Sequence, residues 1–235
     1  MMRDRGKLNL PAMQKVHIKH ARDRALGWLY ESCRSSVLQE FLSQGASIYV
    51  LGGAVRDLVA PSVSDEEHRI PRDFDIGVTG IPLEAFNDVL SSVGSKNRHG
   101  GFVLHEPGMP TWDIWQLERS IGLRKTGAAY SIENVLRSFN LDCNAVALDL
   151  REGWFIDAGA IQAIQRKQID FVPNVIRHSS DTFAAKALLM QLRFNYSISS
   201  GMQHLIGRSL RFGSLQHEFN KVFPAGQILN SPAPA

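Results

Sequence analysis

Between residues 12 and 43, Val16, Ile18, Ala25, Leu26, Leu29, Val37, Leu38, Phe41 and Leu42 recur at near-helical spacing, which predicts one or two helices. Gly45 is a stop signal, and residues 48–51 form an apolar run of strand length. Gly52 and Gly53 end that strand, residues 54–60 resume a helical pattern, and residues 60–70, with Pro61, Asp65, Glu66 and Glu67, read as a loop. Residues 73–78 alternate: Phe74, Ile76 and Val78 point one way, and Asp73, Asp75 and Gly77 the other. Pro82 suits the first turn of a helix that runs to about Val93 and stops at Gly94. Residues 102–105 and 111–117 predict a hairpin around EPGMP, with Trp112 and Ile114 on one face of its second strand and Asp113, Trp115 and Leu117 on the other. Residues 131–138 read as helical or irregular, and NLDCNAVAL as a strand that sets Asn140, Asp142 and Asn144 opposite Leu141, Cys143 and Ala145. A short strand at 154–156 and a helix at 158–165 follow. Ser180 or Asp181 caps a helix reaching about Phe194, with Phe183, Ala184, Ala187, Leu188 and Leu192 facing inward, and a further helix spans 202–210. The tail after Pro224 has a disordered composition, and no internal repeat is visible.

At 235 residues and 44% hydrophobic content, the chain can bury one substantial core, or a core domain with a helical appendage. A net charge of +3 is far from the loading of a protein that coats DNA. Arg3, Arg5, Lys7, Lys15, Lys19, Arg22 and Arg24 gather near the N-terminus, where a solvated segment is the first reading and a phosphate-following one the second. Cys33 and Cys143 make no disulfide framework and no metal spacing, and the eight histidines show no paired ligand spacing either. Neither a secretory signal nor a membrane span is found, so the expectation is a soluble cytoplasmic protein.

Two patterns carry chemistry. A strand that ends in Gly52 and Gly53 and enters a helix makes an anion site, because glycines let backbone approach phosphate and the helix start offers unpaired N–H groups. Asp73 and Asp75 project from one face of a strand and can jointly hold hard cations such as Mg2+. With two ions, one lowers the pKa of an attacking hydroxyl and the other binds a triphosphate and its leaving pyrophosphate. Trp115 shares a face with Asp113, suited to stacking on a base but more often plain packing.

LGGAVRDLV and PRDFDIGVTG resemble the paired head motifs of the class II CCA-adding enzymes and bacterial poly(A) polymerases, within the DNA polymerase β-like nucleotidyltransferase superfamily. TWDIWQL resembles the strand that carries the superfamily's third carboxylate, here Asp113. SIENVLRSFNLDCNAVAL resembles the stretch leading into an Asn-Ala pair, here Asn144 and Ala145, WFIDAGAIQAI the turn around Asp157, and RFNYSI the end of the first neck helix. The likeness covers roughly residues 49–198. It implies an α+β fold: a nucleotidyltransferase head with a mixed, mainly antiparallel β-sheet flanked by helices, plus a helical neck-like C-terminal segment. The divisions expected are 1–45 for an N-terminal helical segment, 46–172 for the catalytic head, 173–223 for the neck-like segment and 224–235 for a disordered tail.

The resemblance implies transfer of a nucleoside monophosphate from a nucleoside triphosphate to a hydroxyl, with an RNA 3′ end, tRNA among them, as the leading acceptor. Asp73, Asp75 and Asp113 would be catalytic and hold two Mg2+ ions, with Mn2+ as an alternative. Gly52, Gly53, Arg56, Arg72, Arg137, Asp142, Asn144 and Lys186 would contact the nucleotide. Asp57 stays divided between a site role and an ion pair with Arg56. The family's arginine pair falls on Ser138 and Phe139 and its aspartate on Asn140, so the nucleotide contacts are expected to be rebuilt, with Arg137, Lys186 and Asp142 as candidates. No Glu-Asp-x-x-Arg-like motif is present, and no body or tail follows, which leaves room for a partner subunit or an oligomer to supply an acceptor platform. Two further readings stay open: nucleotidylation of a protein or small molecule, and a catalytically degenerate head that binds RNA or a partner.

Overall fold

The alternating residues 73–78 fold as strand β3 (Asp73–Thr79), whose Phe74, Ile76 and Val78 are buried on one face while Asp73 and Asp75 stand on the other. In the computed structural model, which describes residues 14–16, 18–30, 34–67, 69–172 and 180–211, β3 lies inside an eight-stranded sheet. The other strands are β1 (Gln14–Val16), β2 (Ser47–Leu51), β4 (Ser95–Lys96), β5 (Phe102–Leu104), β6 (Thr111–Gln116), β7 (Val146–Asp149) and β8 (Phe155–Asp157). Their order is β1-β8-β7-β2-β3-β6-β5-β4, and every pairing is antiparallel except β3 with β6. The expected mixed, mainly antiparallel sheet is observed.

Period-two burial sorts side chains between two cores. Ile48, Val50, Phe74, Ile76, Trp112, Ile114, Val146 and Leu148 join the larger one. It is completed by α1 (Lys19–Tyr30), α2 (Ser35–Ser43), α3 (Gly53–Val63) and α4 (Leu83–Ser91), through residues such as Leu29, Phe41, Leu58 and Phe86. Each fully buried Ile or Phe there contributes roughly 1.5–3 kcal/mol. Leu51, Leu117 and Ala147, with Trp115 against them, form the smaller core on the opposite face, beneath α5 (Ile121–Thr126) and α6 (Ile132–Arg137). Gly77 is dictated by this layer, since a Cβ there would collide with the Leu117 and Leu51 side chains. A third cluster joins α7 (Ala160–Arg166), the two-residue strands β9 (Gln168–Ile169) and β10 (Ser197–Ile198), α8 (Ser180–Phe194) and α9 (Ser200–Arg211).

Several local expectations are corrected. NLDCNAVAL is not one strand: residues 142–144 form a 3-10 turn and β7 starts at Val146. The Asp142 carboxylate captures the N–H groups of Cys143 and Asp170, and Ala145 N–H donates to Asp142 O, so the backbone turns before it can join the ladder. Leu192 is 76% exposed, because the inner face of α8 passes through Met190 and Phe194 instead. Helix α3 continues past Pro61 to Val63, where Ser64 donates both its N–H and its hydroxyl to Ala60 O. Strands β1, β4, β9 and β10 and helix α5 were not foreseen. The tail after Pro224 and the basic residues Arg3, Arg5 and Lys7 lie outside the described residues.

Candidate active site

The turn from β2 into α3 needs glycine at position 52. Gly52 has φ +70° and ψ −134°, a conformation that costs an L side chain dearly, and a Cβ there would stand 3.2 Å from Asp75 Oδ2 and 3.4 Å from the Phe139 ring. The backbone of the turn therefore packs directly on the Asp75 carboxylate. Helix α3 starts at Gly53, and its first N–H groups have no partners within the helix.

Parallel pairing of β3 with β6 sets Asp75 opposite Asp113 and Asp73 opposite Thr111. Asp113 accepts a 2.8 Å hydrogen bond from Asn97 Nδ2. Asn97 is itself fixed, since its Oδ1 accepts from the N–H groups of His99 (2.8 Å) and Gly101 (3.0 Å). Gly101 has no room for a side chain, because a Cβ would lie 2.5 Å from Ile114 O. Asp73 is exposed and held by Arg72, with Nη2 2.6 Å from Oδ2. Burial first, then the like charges of Asp73 and Asp113, push the Asp75 pKa up to about 7, against the pull of Lys186 and Arg72. Burial also raises the Asp113 carboxyl, opposed by the Asn97 hydrogen bond. Lys186 keeps solvent contact, yet desolvation lowers its pKa against the attraction of Asp75.

Asp75 and Asp113 open into a cavity of about 240 Å³. Trp115, Ile121, Val135 and Phe139 give it apolar walls, and His99, Arg119, Ser120 and Ser138 its polar ones. The buried Ser120 hydroxyl has no protein partner among the described residues. Close packing made Ser138 and Phe139 part of this wall: a Cβ on Gly122 would collide with the Ser138 side chain. Asn97, His99, Arg119 and Ser120 were not singled out from the sequence. The Asn-x-x-x-Gly spacing of the Asn97 turn was a usable signal, because asparagine side chains close such loops on their own backbone.

The remaining candidates lie outside the cavity lining. Arg56 is buried, with Nε and Nη2 on Asp57 Oδ1 (2.9 and 2.7 Å), Nη1 on Asn144 Oδ1 (2.5 Å), and its guanidinium 4.2 Å from the Phe194 ring centre. Burial, the largest single influence, would lower its pKa, and the charge and hydrogen bond of Asp57 together with Cys143 and Tyr196 raise it overall and hold the charge. This cluster ties α3 to the end of α8 and occupies both Arg56 and Asn144. Asp142 is spent on backbone N–H groups, and burial raises its pKa to about 7 against those bonds. Arg137 ends α6, half-buried.

A hard divalent cation fits Asp75 and Asp113 chemically: both are oxygen donors whose mutual repulsion and burial a cation would relieve. Asp73, on the same strand face, is engaged by Arg72. Among the described residues, no three His, Cys, Asp or Glu side chains converge as a closed metal cage.

No family model matches the chain. Curated relatives do: it is 30% identical over 162 residues to the CCA-adding enzyme of Bacillus cereus (strain 03BB102) and equally to that of Bacillus anthracis (strain CDC 684). Each match covers 66% of this chain and 38% of the relative, so the chain spans about two fifths of those proteins. The Thermotoga maritima CCA-adding enzyme complexed with tRNA superposes with a TM-score of 0.67 at 18% identity, over 94% of this chain and 52% of that one. A CCA-adding enzyme with ATP gives a TM-score of 0.62 at 19% identity, with the same coverage. The resemblance read from the head motifs is thereby matched in sequence, and the fold is that of the corresponding part of CCA-adding enzymes.

Proposed function

We propose that this chain is the catalytic head of a nucleotidyltransferase that moves a nucleoside monophosphate from a nucleoside triphosphate to the 3′ hydroxyl of an RNA, releasing pyrophosphate. The observation that carries the reading is the in-register pairing of Asp75 with Asp113 on adjacent parallel strands, one against the Gly52 turn and the other at the cavity. A pair of Mg2+ ions held by Asp73, Asp75 and Asp113, with Mn2+ as a substitute, would lower the pKa of the attacking hydroxyl and neutralise charge on the leaving pyrophosphate. The Gly52–Gly53 turn would cradle the triphosphate with backbone N–H groups, with Lys186 as the cation facing Asp75 from α8. Asn97 would hold Asp113 oriented toward the acceptor hydroxyl. In the same reading residues 46–172 are the head and 173–223 the neck-like segment, with α1 and α2 contributing to the head's core.

CCA-adding enzymes named among the relatives, and solved with tRNA, CTP and ATP, support RNA and a nucleoside triphosphate as the substrates. Among the described residues no helix is long and apolar enough to cross a membrane. Purified protein, Mg2+ and each labelled triphosphate over a mixed RNA pool provide the test. Label should enter RNA with the unaltered chain and be lost in an Asp75→Asn/Asp113→Asn variant. Equal labelling by both would overturn the assignment, and label found in protein or metabolite fractions would move the acceptor away from RNA.

A further inference from the structure

Beyond Asp113, the rim of the cavity carries cations that the chemistry above does not use. Arg98 and His99 stand on the loop after β4, Arg119 ends a 3-10 turn after β6, and Arg124 and Lys125 occupy the last turn of α5; all five are exposed. Within the loop Arg98 Nε donates to His99 Nε2 at 3.0 Å, and loop and helix approach where Arg124 Nη2 lies 3.5 Å from His99 O. Among the described residues none of the four cations Arg98, Arg119, Arg124 and Lys125 forms an ion pair with a carboxylate, while His99, whose Nε2 accepts from Arg98, faces Asp113. The one acid in the same stretch, Glu118, is turned away to accept from Thr79 Oγ1 and from Gly80 N–H. Arg98, Arg119, Arg124 and Lys125 are like charges without ion pairs of their own, and a polyanion relieves their mutual repulsion. His99 and Arg119 also line the cavity that holds Asp75 and Asp113, so this rim is continuous with the site.

Position decides which phosphates belong there. The sheet order β2-β3-β6 sets the glycine turn on one side of Asp75 and Asp113 on the other. Phosphoryl transfer places the attacking and leaving oxygens roughly in line on opposite sides of phosphorus. With the triphosphate on the glycine turn, cations beyond Asp113 lie behind the nucleophile. They are also spread over two chain segments, which suits repeating backbone phosphates better than one compact triphosphate. The cavity beside them, about 240 Å³, is small enough to receive a chain end and not a helix of paired strands. The geometry points to Arg98, His99, Arg119, Arg124 and Lys125 as the track that holds the backbone phosphates of a single-stranded RNA acceptor, an inference that rests on the nucleotidyl-transfer reading.

The test compares the full chain with its Arg119→Glu/Arg124→Glu variant, using a short fluorescein-labelled single-stranded RNA and fluorescence anisotropy over a salt series. Unaltered protein should bind with an affinity that falls with salt, and the variant should lose about 0.7 of logarithmic slope for each phosphate contact removed. In labelling assays the acceptor KM should rise at least about tenfold, a loss near 1.4 kcal/mol, while the KM for the triphosphate stays put. If the charge reversal melts early, Arg119→Gln/Arg124→Gln replaces it, with the same signs expected. Equal RNA affinity and salt slope in chain and variant would overturn the track, as would a KM change for the triphosphate in place of the RNA. The Asp75→Asn/Asp113→Asn variant separates the two claims: it should keep rim-dependent RNA binding while losing transfer. Salt-dependent binding that needs the rim, with no transfer by the unaltered chain, would sink the enzymatic reading and leave the track standing.

Discussion

Arg56 sits in the LGGAVRD motif beside the glycine turn, yet its guanidinium is engaged by protein groups, so its loss should act on stability before it acts on substrate. Its guanidinium is 4% exposed and bound to Asp57, Asn144 and the Phe194 ring. Truncating one member of a buried ion pair leaves the other charge uncompensated and costs about 3–5 kcal/mol. For a chain of this size that corresponds to a fall of about 6–20 °C in melting temperature. Asp57→Ala and Arg56→Met should each show such a fall by calorimetry. Arg56→Met/Asp57→Leu, which removes both charges and keeps apolar volume, should recover much of the loss, because no unpaired charge stays buried. The triphosphate KM of whatever folded fraction remains should be unchanged in Arg56→Met. A refuting result is equally plain: Arg56→Met melting with the unaltered chain while its triphosphate KM climbs tenfold or more would make Arg56 a nucleotide ligand and the cluster incidental.

Gly52→Ala should lower stability by about 1–3 kcal/mol through its positive φ, and should also cut transfer, because the methyl lands 3.2 Å from Asp75 Oδ2; unchanged melting and turnover would contradict both points. Asn97→Ala removes a charge-assisted hydrogen bond, about 1.5–3 kcal/mol, so kcat should drop about tenfold or more with the triphosphate KM little altered, measured by steady-state labelling. For Asp142 the folded pKa of about 7 lies above the ordinary aspartate value of 3.8, so the stability it contributes is fully present below about pH 4 and is lost as pH rises through about 7. Asp142→Asn keeps an acceptor oxygen for the Cys143 and Asp170 N–H groups without that loss. It should therefore melt higher than the unaltered chain at about pH 8, with the advantage gone near pH 4; a pH-independent difference would argue against the protonation account.

What could be read from the sequence depended on whether a residue's neighbours were local. Alternation alone separated Phe74, Ile76 and Val78 from Asp73 and Asp75, because a strand imposes that periodicity whatever it packs on. Pairing of Asp75 with Asp113 was beyond reach by the same means, since it requires knowing that β6 lies parallel beside β3 across a long crossover. The alternating pattern of residues 140–145 was misleading: side-chain bonds from Asp142 to the backbone compete with the ladder, and periodicity cannot register that competition. Leu192 fitted a helical stripe whose true centre is set by Met190 and Phe194, through their contact with Arg56. Arg56 itself read as functional because the motif gives its position and not its partners.

Parallel pairing at the middle of an otherwise antiparallel sheet frees the site from the chain that joins its two halves. Asp75 and Asp113 are kept level by six consecutive residue pairs between β3 and β6, not by the segment between them. That segment includes the hairpin tip around Gly108, whose φ is +80° and which has open space where a side chain would grow. Chain can be added at the tip without shifting one carboxylate against the other, so this hairpin is the natural place to splice in a reporter peptide or an RNA-binding module.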